Sequence, residues 1–218
     1  MSHPSGNTQV EKDKMLRGQP FLHYLDGVLL QDRRQCKAAV ERYNKAAETT
    51  SGISGHERSK YFTQILKPHK RPDYKLRDSP HSGPAGTIED HTIVESPFRC
   101  DYGYNIHIGK DCVIESGAYF QDAADIYIGS RVIMGPNVKL YCITASIDPS
   151  ARKGSQGNVI AGAIRIEDDV FVGADVTVLP YVTIGRGAVI GAGSVVTKVS
   201  GYVVAGLKPI ANNGSAGR

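Results

Sequence analysis

Four side chains in the middle of the chain have the chemistry to accept a proton or to attack a substrate: Asp101, His107, Glu115 and Cys142. A carboxylate whose pKa is raised by burial, or an imidazole whose pKa is near neutral, can take a proton from a hydroxyl group. A thiol attacks only when its surroundings lower its pKa. We therefore interpret Cys142 as part of a binding surface rather than as a nucleophile.

The same residue types also have purely structural roles. Asp101 either binds a hydroxyl or ammonium group or caps a turn. His107 either lies on the surface or reaches into the cleft of a neighbouring subunit, and Glu115 is either a base or half of a salt bridge. Tyr102 and Tyr104 suit pocket walls and packing equally well. Which of the two roles each residue has depends on the secondary-structure element that positions it.

A six-residue period dominates the chain from Ile108 onwards and indicates how those elements are arranged. Its thirteen apolar positions, which we call anchors, are Ile108, Ile114, Phe120, Ile126, Ile128, Met134, Leu140, Ile166, Val172, Val178, Ile184, Ile190 and Val196. Because 40% of the chain is apolar, agreement at all thirteen positions has a chance of roughly one in a hundred thousand. The period slips by two residues between Ile126 and Ile128, and it is interrupted at 141–163.

Small or β-branched residues stand four positions after most anchors, and glycine often follows an anchor directly. We expect these positions to face the coil interior; they are Cys112, Ala118, Ala124, Val132, Val138, Thr144, Val170, Val176, Val182, Ala188 and Ser194. Three such units close one triangular coil, and stacked coils bury each other's anchors as parallel strands. The repeat therefore predicts a mainly β, parallel β-helix, with an excursion at 141–163.

The N-terminal part of the chain has a different pattern. Helical spacing predicts helix from Val10 to about Ala47, with a break at 18–20, and one or two more turns from Tyr61 to Lys67. Residues 48–59 read as a loop. We predict a helical cap with a polar insert at 1–66, a Pro/Gly-rich basic connector at 67–92, the coil at 93–210 and a tail at 211–218.

Composition excludes several classes of protein. The chain contains no run of 18 apolar residues, so no membrane span is expected. The first 15 residues lack the apolar core of a secretion signal. Four dispersed cysteines favour reduced thiols in the cytoplasm over a disulfide framework or a zinc site, so no metal is expected. The net charge of +4 accompanies no nucleic-acid-binding motif, so nucleic acid is not an expected partner.

Four segments resemble the maltose, galactoside and nodulation-type sugar O-acetyltransferases, a family of hexapeptide-repeat acyltransferases. PFRCDYGYNI (97–106) resembles the start of their coil, SIDP (146–149) their excursion loop and VTKVSGYVVAGLKPI (196–210) their C-terminal end, while ERYN (41–44) resembles their helical cap. The resemblance implies a left-handed parallel β-helix with a small N-terminal helical cap, a homotrimer and acetyl-CoA, or another acyl-CoA, as co-substrate. It also implies that Asp101 is the carboxylate that binds the acceptor sugar.

The site residues that the resemblance implies are not all present. Ala145 occupies the position of the family's catalytic histidine, Glu115 that of an assisting asparagine and Val159 that of a glutamate. Three replaced positions favour natural divergence over an engineered Ala145. At the cofactor end, the residues expected to meet acyl-CoA are Gly173, Ala174, Gly191, Ala192, Thr197 and Lys198. The ending Gly206–Pro209 is shorter than the family's form.

Two classes of function follow. The first is an acyl-CoA-dependent O-acyltransferase that acts on a hydroxyl of a sugar or small metabolite, with a degenerate site. The second is a non-catalytic or repurposed coil that binds a small ligand between subunits, or that performs a non-acyl reaction with Glu115 or Asp101 as base. The sequence does not name the acceptor, because the excursion and a neighbouring subunit would shape the pocket.

Overall fold

The computed structural model describes residues 10–48, 55–67, 85–197 and 204–205. The helices are α1 (Val10–Leu16), α2 (Gly27–Glu48), α3 (Gly55–Leu66) and the short α4 (Pro149–Arg152), with a 3₁₀ turn at Gly154–Gln156. None of the described helices is long and apolar enough to cross a membrane.

Short strands wind into a left-handed parallel β-helix with three faces. Face I contains β1 (Thr87–Ile88), β4 (Ile106–Ile108), β7 (Ile126–Ile128), β12 (Ile164–Ile166) and β15 (Thr183–Ile184). Face II contains β2 (Ile93–Val94), β5 (Val113–Ile114), β8 (Ile133–Met134), β13 (Phe171–Val172), β16 (Val189–Ile190) and β18 (Val204–Ala205). Face III contains β3 (Arg99–Cys100), β6 (Tyr119–Gln121), β9 (Lys139–Tyr141), β14 (Thr177–Val178) and β17 (Val195–Val196).

The six-residue period is confirmed by burial. All thirteen anchors are at most 5% exposed. Parallel pairing places them in columns, such as Cys100, Phe120, Leu140, Val178 and Val196 on the inner side of face III. The slip is real as well, because β7 buries both Ile126 and Ile128. The described strands thus complete five coils, and β18 opens a sixth.

The interruption at 141–163 forms a hairpin that leaves the solenoid after the third coil. Its strands β10 (Ile143–Ala145) and β11 (Val159–Ala161) pair antiparallel, and α4 and the 3₁₀ turn lie at its tip. Thr144 belongs to this hairpin and is exposed, so the expectation that it faces the coil interior with the other small residues is wrong. Asp148 caps α4 by accepting a hydrogen bond from the backbone N–H of Ser150.

The break between α1 and α2 spans residues 17–26 rather than 18–20, and the cap differs from its sequence-based outline at two further places. Helix α3 begins at Gly55, inside the segment predicted to be a loop, and strand β1 lies inside the predicted connector. Both differences have a tertiary cause. Helix α3 packs against α2 through Phe62 and Tyr43, whose ring centroids are 5.3 Å apart. Strand β1 forms because it pairs with β4, and its own sequence does not indicate a strand.

Aromatic rings connect the cap to the coil. Phe62 meets Phe98, and Phe98 meets Phe120, at centroid distances of 5.2 Å and with edge-to-face geometry. Gly103 (φ +78°) lies directly under α3, where a Cβ would overlap the carbonyl group of Ile65. This close approach requires glycine. The cap and the first two coils therefore share one core.

Candidate functional site

Three of the candidate residues, Asp101, Tyr102 and Tyr104, lie where the chain turns from face III to face I after the first coil. There and after the second coil, the inward-facing residues on either side of the turn are eight positions apart (Cys100 to Ile108, Phe120 to Ile128) instead of six. The extra residues build stacked loops at 101–105 and 122–125, which we call the polar corner. It contains two of the buried polar side chains of the described residues, Asn105 and Asp122.

Asp122 is the centre of the polar corner, and the sequence analysis missed it. Its Oδ1 accepts the backbone N–H groups of Asp101 and Tyr102 at 2.9 Å each, and its carbonyl oxygen accepts from the Asn105 side chain at 2.7 Å. Its Oδ2 has no hydrogen-bond partner, nor has Oδ1 of Asn105. Burial raises the pKa of Asp122 to about 8, and the nearby charge of Asp101 acts in the same direction. The slip in the six-residue period was the signal that marked this corner.

Asp101 lies at the border between the polar corner and an open cavity. Its carboxylate accepts a hydrogen bond from the Tyr119 hydroxyl at 2.9 Å. Burial raises the pKa of Asp101, while the Tyr119 hydrogen bond and the charges of Arg33 and Arg99 oppose that rise. A half-buried carboxyl group of this kind can accept a proton or a hydroxyl hydrogen bond from a ligand.

The cavity beside Asp101, which we call the cap cleft, lies between α2 and face III and has a volume of about 410 Å³. Its charged lining is Arg33, Lys37, Glu41, Arg99 and Asp101. The volume falls within the range of small-molecule sites. Helix α2 supplies Arg33, Lys37 and Glu41 because residues four apart share one face of a helix.

Tyr102 and Tyr104 pack the polar corner against the cap and do not face the cleft. Both are at most 2% exposed. Arg33 donates to the Tyr102 hydroxyl at 2.6 Å, and the Tyr104 hydroxyl donates to Asp32 at 3.0 Å. The structure thus gives these two tyrosines the packing role that the sequence left open.

His107 faces outward from the coil, as expected, but it is not exposed on the surface. Although it lies on the outer side of β4, it is only 9% exposed, because its ring stacks on Tyr127 at a centroid distance of 4.9 Å. Its Nδ1 is 3.3 Å from Oγ1 of Thr87, and its Nε2 is 3.8 Å from the Asp125 carboxylate. It borders a second cavity, of about 410 Å³, on face I and takes no part in the cap cleft.

Glu115 lies at a different corner, between faces II and III. Its backbone N–H donates to Met134 in the next coil at 3.0 Å, and Gly135, Gly173 and Gly191 continue the same column upwards. Within the described ranges the half-buried Glu115 side chain forms no hydrogen bond or ion pair, so the predicted salt bridge is not seen there. Glu115 therefore shares its corner with part of the predicted cofactor end rather than with Asp101.

The predicted cofactor residues divide between two corners. Gly173 and Gly191 are buried, whereas Ala192 is exposed above them and Ala174 is half-buried. A Cβ on Gly173 would lie 2.6 Å from the backbone nitrogen of Ala192, so the coil itself requires this glycine. Thr197 is exposed at the end of face III, and Lys198 and Gly206–Pro209 lie outside the described residues.

Ala145 and Val159, two of the three replaced positions, are direct neighbours. They are paired across the antiparallel hairpin of β10 and β11. Opposite side chains in such a pair are roughly 5 Å apart, so a histidine and a glutamate placed there would be within reach of each other. The present pair is apolar and has no acid–base chemistry. Cys142, at the base of the hairpin, is fully buried, and burial raises the pKa of its thiol.

Among the described residues, no group of three or more His, Cys, Asp or Glu side chains has the geometry of a metal site.

Comparisons with known proteins identify the family. The model for the maltose acetyltransferase hexapeptide capping motif matches residues 14–70, and the model for bacterial transferase hexapeptide repeats matches residues 163–198. A Schizosaccharomyces pombe protein that bears the name of an acetyltransferase is 36% identical over 189 residues, which are 87% of this chain and 83% of that protein.

Solved structures agree with these matches. A maltose O-acetyltransferase from Clostridium difficile superposes with a TM-score of 0.68 and 30% identity, over 90% of this chain and 91% of that one. A hexapeptide-repeat acetyltransferase from Vibrio cholerae, complexed with acetyl coenzyme A, has a TM-score of 0.65 and 28% identity, over 86% and 87% of the two chains. The chain belongs to the hexapeptide-repeat acyltransferases of the maltose and galactoside O-acetyltransferase type.

Proposed function

We propose that the chain is an acetyl-CoA-dependent O-acyltransferase that acts on a hydroxyl of a sugar or small metabolite through a degenerate site. The observation that carries the acyltransferase part of this proposal is the likeness of cap and coil to acetyltransferases. The degenerate part is supported by the pairing of Ala145 with Val159, two apolar residues at the positions where the resemblance implies a histidine and a glutamate. The V. cholerae relative with acetyl coenzyme A supports the choice of donor.

The reaction needs one proton acceptor. The acceptor's hydroxyl oxygen attacks the thioester carbonyl carbon, its proton passes to a base, and the thiolate of coenzyme A leaves and is protonated. Asp101 is the base that the geometry favours over Glu115, because it borders the cap cleft and has a hydrogen-bonded tyrosine beside it. A carboxylate is a weaker base than an imidazole, so we expect slow transfer.

We propose that the working unit is a homotrimer. Asp101 and Thr197 lie at the edge between faces III and I, whereas Glu115, Gly173 and Gly191 lie at the edge between faces II and III. One copy of the chain keeps these two sets apart, and a second copy that apposes its other edge would bring them together. Free thiols and an acyl-CoA donor favour the cytoplasm.

The second candidate function is ligand binding without catalysis. It is favoured by the joint replacement at Ala145 and Val159, which removes both polar groups of the hairpin pair. A coil of this kind would still bind acetyl-CoA or an acceptor, and the two candidates differ only in turnover.

The test measures donor binding and turnover separately. Acetyl-CoA is titrated by calorimetry, and thiol release is followed with sugar acceptors for the parent chain, for Ala145→His and for Ala145→His with Val159→Glu. We expect all three to bind acetyl-CoA and the histidine variants to release thiol at least about 100-fold faster, which is the usual contribution of a positioned base. Ala151→His, on α4 of the same excursion, is the matched control and should leave the rate at the parent's level.

Three outcomes decide between the candidates. Absence of acetyl-CoA binding in every variant contradicts the proposal. Binding without turnover in the parent, rescued by Ala145→His, identifies a decayed transferase. Turnover in the parent requires another base, and Asp101→Asn should then abolish it while Glu115→Gln should not.

A further inference from the structure

The cap cleft carries more positive charge than a site for a neutral sugar requires. Arg33 and Lys37 approach it from α2, and Arg99 approaches it from β3. Glu41 and Asp101 are the two carboxylates of the lining. Burial raises the pKa of Asp101, and the charges of Arg33 and Arg99 oppose that rise, so this carboxylate and the two cations lie close enough to interact.

The three cations outnumber the two carboxylates of the lining, so the cleft keeps one net positive charge. Among the ion pairs of the described residues, none includes Arg33, Lys37 or Arg99. Arg33 is fixed by neutral acceptors, the Tyr102 hydroxyl at 2.6 Å and the backbone oxygen of His23 at 2.8 Å. The guanidinium of Arg99 lies over the Tyr119 ring at 5.0 Å, which orients it without neutralising it.

The positions of these groups divide the cleft into two parts. Tyr119 lies between the two parts, because its hydroxyl donates to Asp101 and its ring packs against the guanidinium of Arg99. Asp101 offers an acceptor for a ligand hydroxyl, whereas Lys37 and Arg99 offer donors and positive charge. A ligand that satisfies both parts has a hydroxyl group and an anionic group within one small molecule.

We propose that the cap cleft selects an anionic acceptor, a sugar or small hydroxy compound that bears a carboxylate or a phosphate. Lys37 and Arg99 hold the anionic group, Arg33 supplies positive potential from the floor of the cleft, and Asp101 accepts the hydroxyl. This inference rests on the proposed function, because it names the acceptor class of the same site. It is independent of turnover, because it concerns binding to the cleft.

The experiment is calorimetry of the full chain, without acetyl-CoA, against matched sugars: methyl glucoside, methyl glucuronoside, glucose 6-phosphate and the corresponding galactose series. We expect each anionic sugar that fits to bind at least about tenfold more tightly than its neutral counterpart at low salt. The advantage should shrink as salt is raised from 50 to 500 mM, because a charge-based preference is screened. Comparison of the uronic acid with the phosphate identifies which anion the cleft accepts.

Variants connect that preference to the cleft. Lys37→Gln and Arg99→Gln should each weaken the anionic sugar about twofold to fivefold and affect the neutral sugar less, as expected for loss of one solvent-accessible charge contact. Arg42→Gln, elsewhere on α2 and outside the cleft lining, is the matched control and should change neither.

Several results would overturn the inference. These are equal affinity for anionic and neutral sugars, failure of every anionic sugar to bind, or an anionic preference that survives both cleft variants. Loss of acetyl-CoA affinity in Lys37→Gln would assign the cations to the donor's phosphates instead. Transfer to neutral sugars alone would overturn this inference and leave the proposed transferase intact.

Discussion

The lower coils (87–141) and the upper coils (164–197) have the same six-residue period but differ in what they bury. In the upper coils, every fully buried side chain of the described residues is apolar. The lower coils bury Asn105, His107 and Asp122 as well as their anchors, and aromatic rings join them to the cap.

Buried polar groups cost free energy unless they are fully hydrogen-bonded, and the polar corner leaves two oxygen atoms without partners. A coil that only had to fold would avoid that cost, as the upper coils do. The difference supports the proposal that the acceptor binds at the lower coils and the cap, while the upper coils offer a regular backbone.

The largest expected effect tests whether the aromatic core is what holds the cap on the lower coils. Phe120→Ala should lower the free energy of unfolding by about 3–5 kcal/mol, since it opens a cavity at a fully buried anchor that contacts Phe98. Val178→Ala, in the same inner column of face III but in the upper coils, should cost less because it removes less apolar surface. Urea unfolding measures both.

Phe171→Ala is the control for the phenylalanine substitution itself. This ring is 42% exposed on face II of the upper coils, so its loss should cost clearly less than that of Phe120. If Val178→Ala or Phe171→Ala were as damaging as Phe120→Ala, the two groups of coils would not differ in how their cores are built.

The second prediction concerns the pH dependence of the polar corner. Because burial raises the pKa of Asp122 to about 8 in the folded chain, well above its ordinary value, the folded state holds this proton more tightly than the unfolded state does. The free energy of unfolding should therefore fall by up to several kcal/mol as pH rises from about 4 to about 8, and it should level off above that range.

Asp122→Asn should remove this decline, because an amide oxygen can still accept from Asp101 and Tyr102 and carries no charge. The difference between parent and variant, measured by urea unfolding at several pH values, isolates Asp122. Burial also lowers the pKa of His23 to about 4, which weakens the fold as pH falls below about 6.5, but this contribution is common to both chains. Parallel curves for parent and variant would contradict the assignment.

The third prediction separates the structural role of the upper corner from a role in cofactor binding. Gly173→Ala should cost about 1–3 kcal/mol of unfolding free energy, because its Cβ would lie 2.6 Å from the Ala192 nitrogen and coils four and five would have to move apart. Gly27→Ala, at the start of α2, meets no atom within 4 Å and should be neutral or slightly stabilising. Loss of acetyl-CoA affinity in Gly173→Ala without loss of stability would contradict the structural explanation.

These contrasts also explain which features the sequence predicted. The upper coils were predictable because each anchor depends only on its own six-residue unit and on the equivalent anchors of the neighbouring coils, as with Val172 and Ile190. The slip at Ile126 marked the polar corner, yet no local pattern distinguishes Asp122 from an exposed aspartate. Its burial depends on Tyr102 and Tyr104, which are held in place by Arg33 and Asp32 of the cap. The cleft was missed for the same reason, since it forms only when α2 lies on face III.

The smallest effect is expected at the surface ion pairs that join the two groups of coils. Arg131, in the third coil, contacts Asp169 of the fourth through two hydrogen bonds, and Asp168 also contacts Arg186 of the fifth at 3.1 Å. Arg131 and Asp169 are exposed, so water and salt screen their attraction and the ordering of their side chains offsets much of the gain. Arg131→Gln should leave the urea midpoint unchanged within error at 0.15 M salt. A large loss of unfolding free energy in Arg131→Gln would mean that surface charge, rather than the shared core, holds the two groups of coils together. Raising the salt concentration should then destabilise the parent as much as the substitution does.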